Sequence, residues 1–154
     1  MIALVNVPRT RDRKRLVRAA EFFSERLMGR RLANLVDIKV FFTEGMMDKD
    51  GEYGNSCWQD RPDRPREFFI HVDRSLTEHM MLRTLAHEMV HVKQHASGEL
   101  RCYIRSASLH RWKGEMIDDD SIKYRNLPWE KEAFSMEIPL VKEFKSHEAQ
   151  ANKA

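Results

Sequence analysis

The chain is poor in cysteine and has no long apolar run. Its 154 residues include only Cys57 and Cys102, and neither lies in a Cys-x-x-Cys motif. We therefore expect reduced thiols rather than a disulfide framework. No stretch approaches the roughly 18 consecutive apolar residues that span a bilayer. The opening MIALVNVPRTRDRKR places its charges after a short apolar stretch, the reverse of a secretory signal, so we expect a cytoplasmic protein that makes no membrane contact.

The composition predicts one globular domain. At 154 residues and 42% hydrophobic content, the chain can bury a core without disulfides or oligomerisation. We expect a single domain over residues 1–144 and a frayed tail over 145–154. The net charge is only +3, and six cations cluster early, at Arg9, Arg11, Arg13, Lys14, Arg15 and Arg18. A solvated helix face is the favoured explanation for this cluster, and nucleic acid stays open as a partner.

The pentapeptide from His87 to His91, HEMVH, carries the most functional information. Two histidines four positions apart lie on one face of a helix and can bind one metal ion, and Glu88 can reach a water on that ion. Such a pentapeptide also arises by chance, so its setting matters.

The setting is an amphipathic helix with signals at both ends. Ser75 and Glu78 match a capping box, Ser97-Gly98 supplies a stop, and about 22 residues from Leu76 should be helical. One face of this helix is an apolar stripe of Leu82, Leu85, Met89, Val92 and Ala96. The polar face holds Thr84, His87, Glu88, His91 and His95. We expect the first face to pack and the second to carry the chemistry.

Hydrophobic periodicity predicts the remaining elements. The chain should form a helix over 12–30 that ends near Gly29, a strand over 35–43, a turn at Lys49-Asp50-Gly51, a weaker strand over 52–59 and a strand over 67–73. No internal repeat interrupts this order. We expect an α+β fold in which a small mixed sheet lies beside the HExxH helix, flanked by N-terminal and C-terminal helices.

A catalytic zinc normally takes three protein ligands and leaves a fourth position for water, so a third ligand must come from elsewhere. The metzincin pattern fails because Gln94 and Ser97 stand where it requires glycine and histidine. His95 lies about 6 Å along the helix axis from His91. We therefore expect His95 near the site or at the surface rather than on the metal.

The better source of a third ligand is the helix start Leu127-Pro128-Trp129-Glu130-Lys131-Glu132. Glu130 and Glu132 point about 200° apart on a helix, so both should not face one metal. We favour Glu130 because it shares a face with Ala133 and Phe134. Glu132 stays open, as does the interpretation of both as ordinary first-turn acids.

Several further side chains have candidate roles. An oxyanion donor could be Tyr124, Tyr103, His110 or Arg125, and we prefer Tyr124 because it closely precedes the ligand helix. The indoles of Trp112 and Trp129 are expected to anchor the core rather than line a cleft. The methionines, including Met80, Met81 and Met89, are expected to fill the core.

The HEMVH helix, followed roughly 39 positions later by a Glu-x-Glu-Ala segment that opens another helix, resembles the gluzincin type of zincin metallopeptidase. Compact SprT-like metallopeptidases of phage and bacterial genomes look most similar, since Arg111-Trp112-Lys113-Gly114 and Tyr124 match their hairpin and ligand segment. ImmA/IrrE-like peptidases are similar more distantly. The chain departs from the SprT family proper, whose third ligand is a histidine soon after the helix, so DNA-linked protein cleavage is not implied.

This resemblance, over about residues 35–140, implies zinc bound by His87, His91 and a glutamate of PWEKEA. Zinc lowers the pKa of its water to about 7, and Glu88 would act as general base in hydrolysis of a peptide or protein substrate. Cobalt, nickel and iron stay open as the native metal. The alternative is a zinc-containing binding or regulatory protein without proteolytic activity, and a Glu88→Gln variant that keeps its function would favour it.

Overall fold

The structure is a computed structural model that describes residues 1–47, 52–103 and 106–154. It contains the strands β1 (Ile2–Val5), β2 (Asp37–Thr43), β3 (Gly54–Trp58), β4 (Glu67–Asp73), β5 (Leu100–Tyr103), β6 (Ser106–Trp112) and β7 (Glu115–Asp118). The helices are α1 (Arg13–Ala33), α2 (Glu78–Ala96) and α3 (Pro128–Ala151). Short 3₁₀ helices cover Asp119–Ser121 and Tyr124–Asn126. The predicted α+β class is confirmed.

The larger sheet has four strands in the order β1-β2-β4-β3. It is mixed, because β1, β2 and β4 run parallel whereas β3 pairs antiparallel with β4 at one edge. The strands predicted over 35–43 and 67–73 are confirmed as β2, which begins two residues later, and β4. The apolar residues on one side of each strand are buried: Ile38, Val40, Phe42, Phe68, Ile70 and Val72. The weaker strand is shorter than expected, and β1 was not predicted. The expected turn at Lys49-Asp50-Gly51 lies outside the described residues.

The first helix follows its predicted pattern and continues past its predicted end. Asp12 caps it, accepting a hydrogen bond from the backbone nitrogen of Arg15 at 3.0 Å. Its apolar positions Leu16, Ala19, Ala20 and Phe23 are fully buried in the same core as the sheet and α2. Gly29 adopts φ 73° and ψ 155°, which interrupts the helix before a last turn to Ala33. Glycine permits that conformation because it has no Cβ.

The predicted capping box of α2 is wrong. The hydroxyl and backbone nitrogen of Ser75 instead bond to the Asp73 carboxylate, at 2.6 and 2.7 Å. Thr77 caps the helix, accepting from the nitrogen of Met80 at 3.3 Å. Glu78 is thereby free to pair with Arg15. The other end agrees with the prediction, since α2 stops at Ala96.

The early cations are largely engaged within the fold. The guanidinium of Arg11 donates to the Leu76 carbonyl at 2.9 Å, and that of Arg13 donates to the Leu4 carbonyl at 2.7 Å. Arg15 pairs with Glu78 and with Glu148. These contacts occupy guanidinium groups that a nucleic acid would otherwise contact. Within the described ranges, none of the helices combines the length and apolarity needed to cross a membrane.

The second sheet and α3 complete the molecule. Strands β5, β6 and β7 form an antiparallel sheet in sequence order, with Lys113 and Gly114 in the turn between β6 and β7. α3 then packs along α2. The frayed tail expected from Lys145 is not observed, because α3 stays helical to Ala151. Glu148 holds this end of α3 through a 2.9 Å ion pair with Arg15.

Candidate metal centre

The two histidines of HEMVH lie one turn apart on α2, at the point where α3 begins. Both are buried, with 8% of each residue exposed, and the side chain of Glu130 in the first turn of α3 is also buried. The two helices therefore bring His87, His91 and Glu130 together, and this group could hold a metal ion.

The spacing of the three ligand atoms fits a small tetrahedral ion. The Nε2 atoms of His87 and His91 are 3.2 Å apart. One oxygen of Glu130 (Oε2) lies 3.2 Å from the Nε2 of His87, and the other (Oε1) lies 3.3 Å from the Nε2 of His91. Ligands about 2.0 Å from a tetrahedral metal are separated from one another by about 3.3 Å. The side chains thus already have the separation that an ion between them would require.

The other nitrogen of each imidazole is held by an acceptor. The Nδ1 of His87 lies 2.9 Å from a carboxylate oxygen of Glu137, and the Nδ1 of His91 lies 2.8 Å from the amide oxygen of Gln94. Both acceptors require the hydrogen on Nδ1, so each neutral ring directs an Nε2 lone pair toward Glu130. No hydrogen atom then lies between the two Nε2 atoms and the Glu130 carboxylate. A cation, either a metal or a proton, is needed to stabilise that arrangement.

The electrostatics of the group show the same need for positive charge. Burial lowers the pKa of His87, but hydrogen bonds with Glu130 and Glu137 outweigh it and raise the pKa to about 9. Burial raises the pKa of Glu130, and the hydrogen bonds from the two histidines reverse this and lower it to about 2. Without a metal, the site therefore holds a proton. Metal binding must displace that proton, so metal affinity should fall as pH falls.

Glu132, the alternative third ligand, lies elsewhere. One of its oxygens accepts from the amide nitrogen of Gln94 at 2.8 Å, and the other lies 3.3 Å from the ammonium of Lys113. The same amide nitrogen donates to the Trp129 carbonyl at 2.9 Å. Gln94 therefore joins the first turn of α3 to His91. Glu132 therefore contacts Gln94 and Lys113 rather than the imidazoles.

Glu88 lies beside the candidate ligands on α2. Burial of its carboxylate raises its pKa. The charges of His91 and His87 and a hydrogen bond from Ser56 on β3 lower the pKa, but burial outweighs them and the pKa stays raised. The strand approaches this part of α2 closely at Gly54. A Cβ on that glycine would lie 2.5 Å from Cγ2 of Thr84 and 3.4 Å from a carboxylate oxygen of Glu88. Because Gly54 has no side chain, β3 can lie against the site.

Two clefts meet at Glu88. The larger cleft, about 420 Å³, is lined among others by Met80, Arg83, His87, Arg125, Phe134 and Glu137. The smaller cleft, about 200 Å³, is lined among others by Ser56, His91, His95, Cys102, His110 and Glu130. Glu52, Gly54, Glu88 and Tyr124 border both. The two clefts thus adjoin at Glu88, and we call them together the groove.

The four candidate oxyanion donors take different positions. Tyr124 borders both clefts, and although 60% of the residue is exposed, its hydroxyl bonds to Glu130. Burial of that end and the Glu130 charge raise its pKa, so the hydroxyl keeps its proton. Arg125 lines only the larger cleft and His110 only the smaller one. Tyr103, 40% exposed on β5, lines neither of these clefts.

His95 does not belong to the candidate ligand group. Burial, together with the charges of His91 and His110, lowers its pKa to about 4. Its Nδ1 has no hydrogen-bond partner among the described residues. His95 therefore remains neutral in the wall of the smaller cleft.

The tryptophans and methionines largely pack as expected. Trp129 is buried with Leu100 and Leu127, and its ring lies 4.9 Å from that of His110. Trp112 is partly buried against the same cluster. Met81 and Met89 are fully buried, whereas Met80 is partly buried and borders the larger cleft.

Sequence reasoning missed Glu137, Gln94 and Arg83. Glu137 follows Glu130 by two helical turns, and Gln94 follows His91 by about one, so helical spacing alone could have placed each on the same face as a candidate ligand. The chain was compared with protein-family models, with curated proteins and with solved structures, and none of the three comparisons found a match. The site is therefore interpreted from its own geometry.

Proposed function

We propose that the protein is a zinc-dependent peptidase of the zincin type, with His87, His91 and Glu130 as metal ligands and Glu88 as general base. The observation that carries this proposal is the convergence of two imidazole Nε2 atoms, 3.2 Å apart, on the Glu130 carboxylate, whose two oxygens lie 3.2 Å from one and 3.3 Å from the other. The buried carboxylate of Glu88 lies beside this group and borders the groove. Two imidazoles and one carboxylate form a donor set typical of catalytic zinc, which keeps its fourth position open. A purely structural zinc site would normally be closed by a fourth protein ligand.

The chemistry requires few residues. A zinc ion held by this group would supply an acidified water, with a pKa of about 7, and a Lewis acid for the substrate carbonyl. Glu88 would accept the proton of the attacking water and then deliver it to the leaving amine. The hydroxyl of Tyr124, which keeps its proton, would donate a hydrogen bond to the oxyanion.

An extended peptide would bind along β3. This strand pairs with β4 on one side, and within the described ranges no other strand pairs with its second side. An unpaired strand edge can bind a peptide through backbone hydrogen bonds. Because Gly54 brings this strand against α2, a peptide paired with it would pass Glu88 in the groove. The edge strand and the HExxH helix thus support the zincin-like interpretation and the resemblance to gluzincins.

Metal content and turnover test the proposal separately. Purified wild type should contain about one zinc per chain, and His91→Ala and Glu130→Gln should lose it, because each removes one of only three ligands. Glu132→Gln is the matched control, since it changes a neighbouring carboxylate that bonds to Gln94 and not to an imidazole Nε2. Circular dichroism would establish that each variant is folded.

Glu88→Gln should keep its zinc and lose cleavage of a fluorogenic peptide library. The amide has nearly the same shape as the carboxylate but cannot accept the proton. Full activity of Glu88→Gln would overturn its role as base. A zinc-loaded wild type that cleaves no peptide would instead favour a zinc-containing binding protein.

A further inference from the structure

The two clefts on either side of Glu88 differ in charge. Arg83 and Arg125 both line the larger cleft, whereas the smaller cleft is lined by no lysine or arginine from the described part of the chain. Glu52 and Glu88 border both clefts, while Glu137 lines only the larger one and Glu130 only the smaller one, so the two arginines make the difference. Because the two clefts meet at the Glu88 carboxylate, this charge difference would act on the two sides of a substrate that lies across the site.

Arg83 is already neutralised. Its Nε donates to a carboxylate oxygen of Glu137 at 3.2 Å, and a second guanidinium nitrogen bonds to the same oxygen. The other oxygen of Glu137 holds His87. Arg83 therefore supports the candidate metal centre, and its charge is not available to a substrate.

Arg125 is placed differently. Its guanidinium carbon lies 4.8 Å from the centroid of the Phe134 ring. No carboxylate in residues 1–47, 52–103 or 106–154 comes within 4.0 Å of its nitrogens. Stacking on an aromatic face orients the planar guanidinium and leaves the hydrogen atoms at its edges available. Those edges match a carboxylate through two parallel hydrogen bonds.

The stack also ties Arg125 to the reaction centre. The Phe134 ring packs against the ring of His87, with centroids 4.7 Å apart. The guanidinium is thus separated from a candidate metal ligand by a single aromatic ring. An extended peptide advances about 3.3–3.6 Å per residue, so Arg125 lies within reach of the first few residues from the bond that would be cleaved.

We infer that Arg125 makes the larger cleft a carboxylate-binding subsite, so that preferred substrates carry a carboxylate close to the scissile bond on that side. This inference rests on the proposed peptidase function. The carboxylate could belong to an aspartate or glutamate side chain or to the end of the substrate chain, because the fork of an arginine binds both in the same way.

Paired peptides test the inference. One series would carry glutamate or glutamine at each of the three positions on either side of a central bond, and a second would end in a free acid or an amide. For the zinc-loaded wild type, we expect kcat/KM to favour the acidic member of one pair by about tenfold, as a charged hydrogen bond predicts. Preference in the first series would assign a side chain, and preference in the second would assign the chain end.

For each variant, the measured quantity is the ratio of kcat/KM for the acidic member of a pair to that for the neutral member. Arg125→Gln should reduce the acidic preference to near one, and Arg125→Lys should retain part of it, because an ammonium keeps the charge but lacks the planar fork. Lys123→Gln is the matched control, since it removes one positive charge two residues away from a side chain that lines neither cleft. It should keep the wild-type ratio.

The outcomes separate the two proposals. Cleavage without acidic preference in the wild type, a preference for the neutral member of each pair, or an undiminished ratio in Arg125→Gln would overturn the carboxylate inference while leaving the peptidase proposal in place. If no peptide is cleaved, the same pairs would be titrated against zinc-loaded Glu88→Gln protein by fluorescence anisotropy. Tighter binding of the acidic member, lost in Arg125→Gln, would support the subsite without turnover. Absence of binding would overturn both proposals.

Discussion

The contact between Glu137 and His87 gives a sharp test of the candidate metal centre. Glu137→Gln removes the negative charge that accepts from Nδ1 of His87 and pairs with Arg83. A neutral amide is a weaker acceptor, and it can rotate to present its NH₂ group instead. The Nε2 lone pair of His87 would then be less basic and less firmly aimed at the metal.

The size of the effect follows from what such partners contribute elsewhere. Changing a group that orients a metal-bound histidine typically costs 10–100-fold in metal affinity. That range corresponds to about 1.4–2.8 kcal/mol of binding free energy. Both oxygens of Glu137 are engaged and the residue is only 7% exposed, so water cannot readily replace the lost charge. We therefore expect a loss toward the upper end of this range.

Zinc affinity would be measured by competition with a chromophoric chelator at pH 7.5. Glu143→Gln provides the control, because Glu143 lies on the same helix and pairs with Arg26 but is largely exposed and far from the imidazoles. It should bind zinc as tightly as the wild type. Equal affinities for Glu137→Gln, Glu143→Gln and the wild type would refute the claim that Glu137 orients His87.

Three further predictions concern the groove and the smaller cleft. Tyr124→Phe should lower kcat/KM by roughly 10²-fold, because it removes the proposed oxyanion donor. It should leave zinc content unchanged although the hydroxyl also bonds to Glu130, since it removes none of the three ligands; kinetics within twofold of wild type would contradict the oxyanion role. Gly54→Ala should cost about 1–3 kcal/mol of unfolding free energy in urea, since its Cβ would lie 2.5 Å from Cγ2 of Thr84 and 2.8 Å from the His71 carbonyl oxygen. Adding Thr84→Ser should recover part of this loss, and no recovery would place the strain at the backbone contact. Because the pKa of His95 is lowered from 6.5 to about 4, its contribution to stability is complete above pH 6.5 and is lost as pH falls toward 4. Between pH 6.5 and 4, the unfolding free energy of His95→Asn should therefore fall less than that of the wild type, by as much as about 3 kcal/mol. An identical pH dependence of the two proteins would refute the lowered pKa of His95.

Elements with strong periodicity were predictable because burial and pattern agree in them. The alternation of Val36, Ile38, Val40 and Phe42, which begins one residue before β2, matches the buried side of that strand. β4 begins and ends where its apolar run predicts. Local patterns failed where distant groups intervene. The hydroxyl of Ser75 is bound by Asp73, which leaves the cap to Thr77.

The candidate site was predictable only in part. The spacing in HEMVH indicates two ligand histidines without any tertiary information, and the facing argument favours Glu130, which the structure places beside them. The roles of Glu137 and Gln94 depend on how α3 packs against α2, and no local pattern encodes that packing. Of the β5–β7 sheet, only a hairpin at Arg111–Gly114 was expected, through the family resemblance, and the three strands themselves were not predicted.

The candidate ligands come from two helices that are far apart in the chain, with His87 and Glu130 separated by 43 positions. An ion joining them would close a loop that contains the entire second sheet, and cross-links across loops of this length reduce the disorder of the unfolded chain. Loss of the ion would release that constraint and leave only a proton among the three buried side chains. The cellular supply of the metal could then set how long each molecule survives degradation, in addition to whether it reacts.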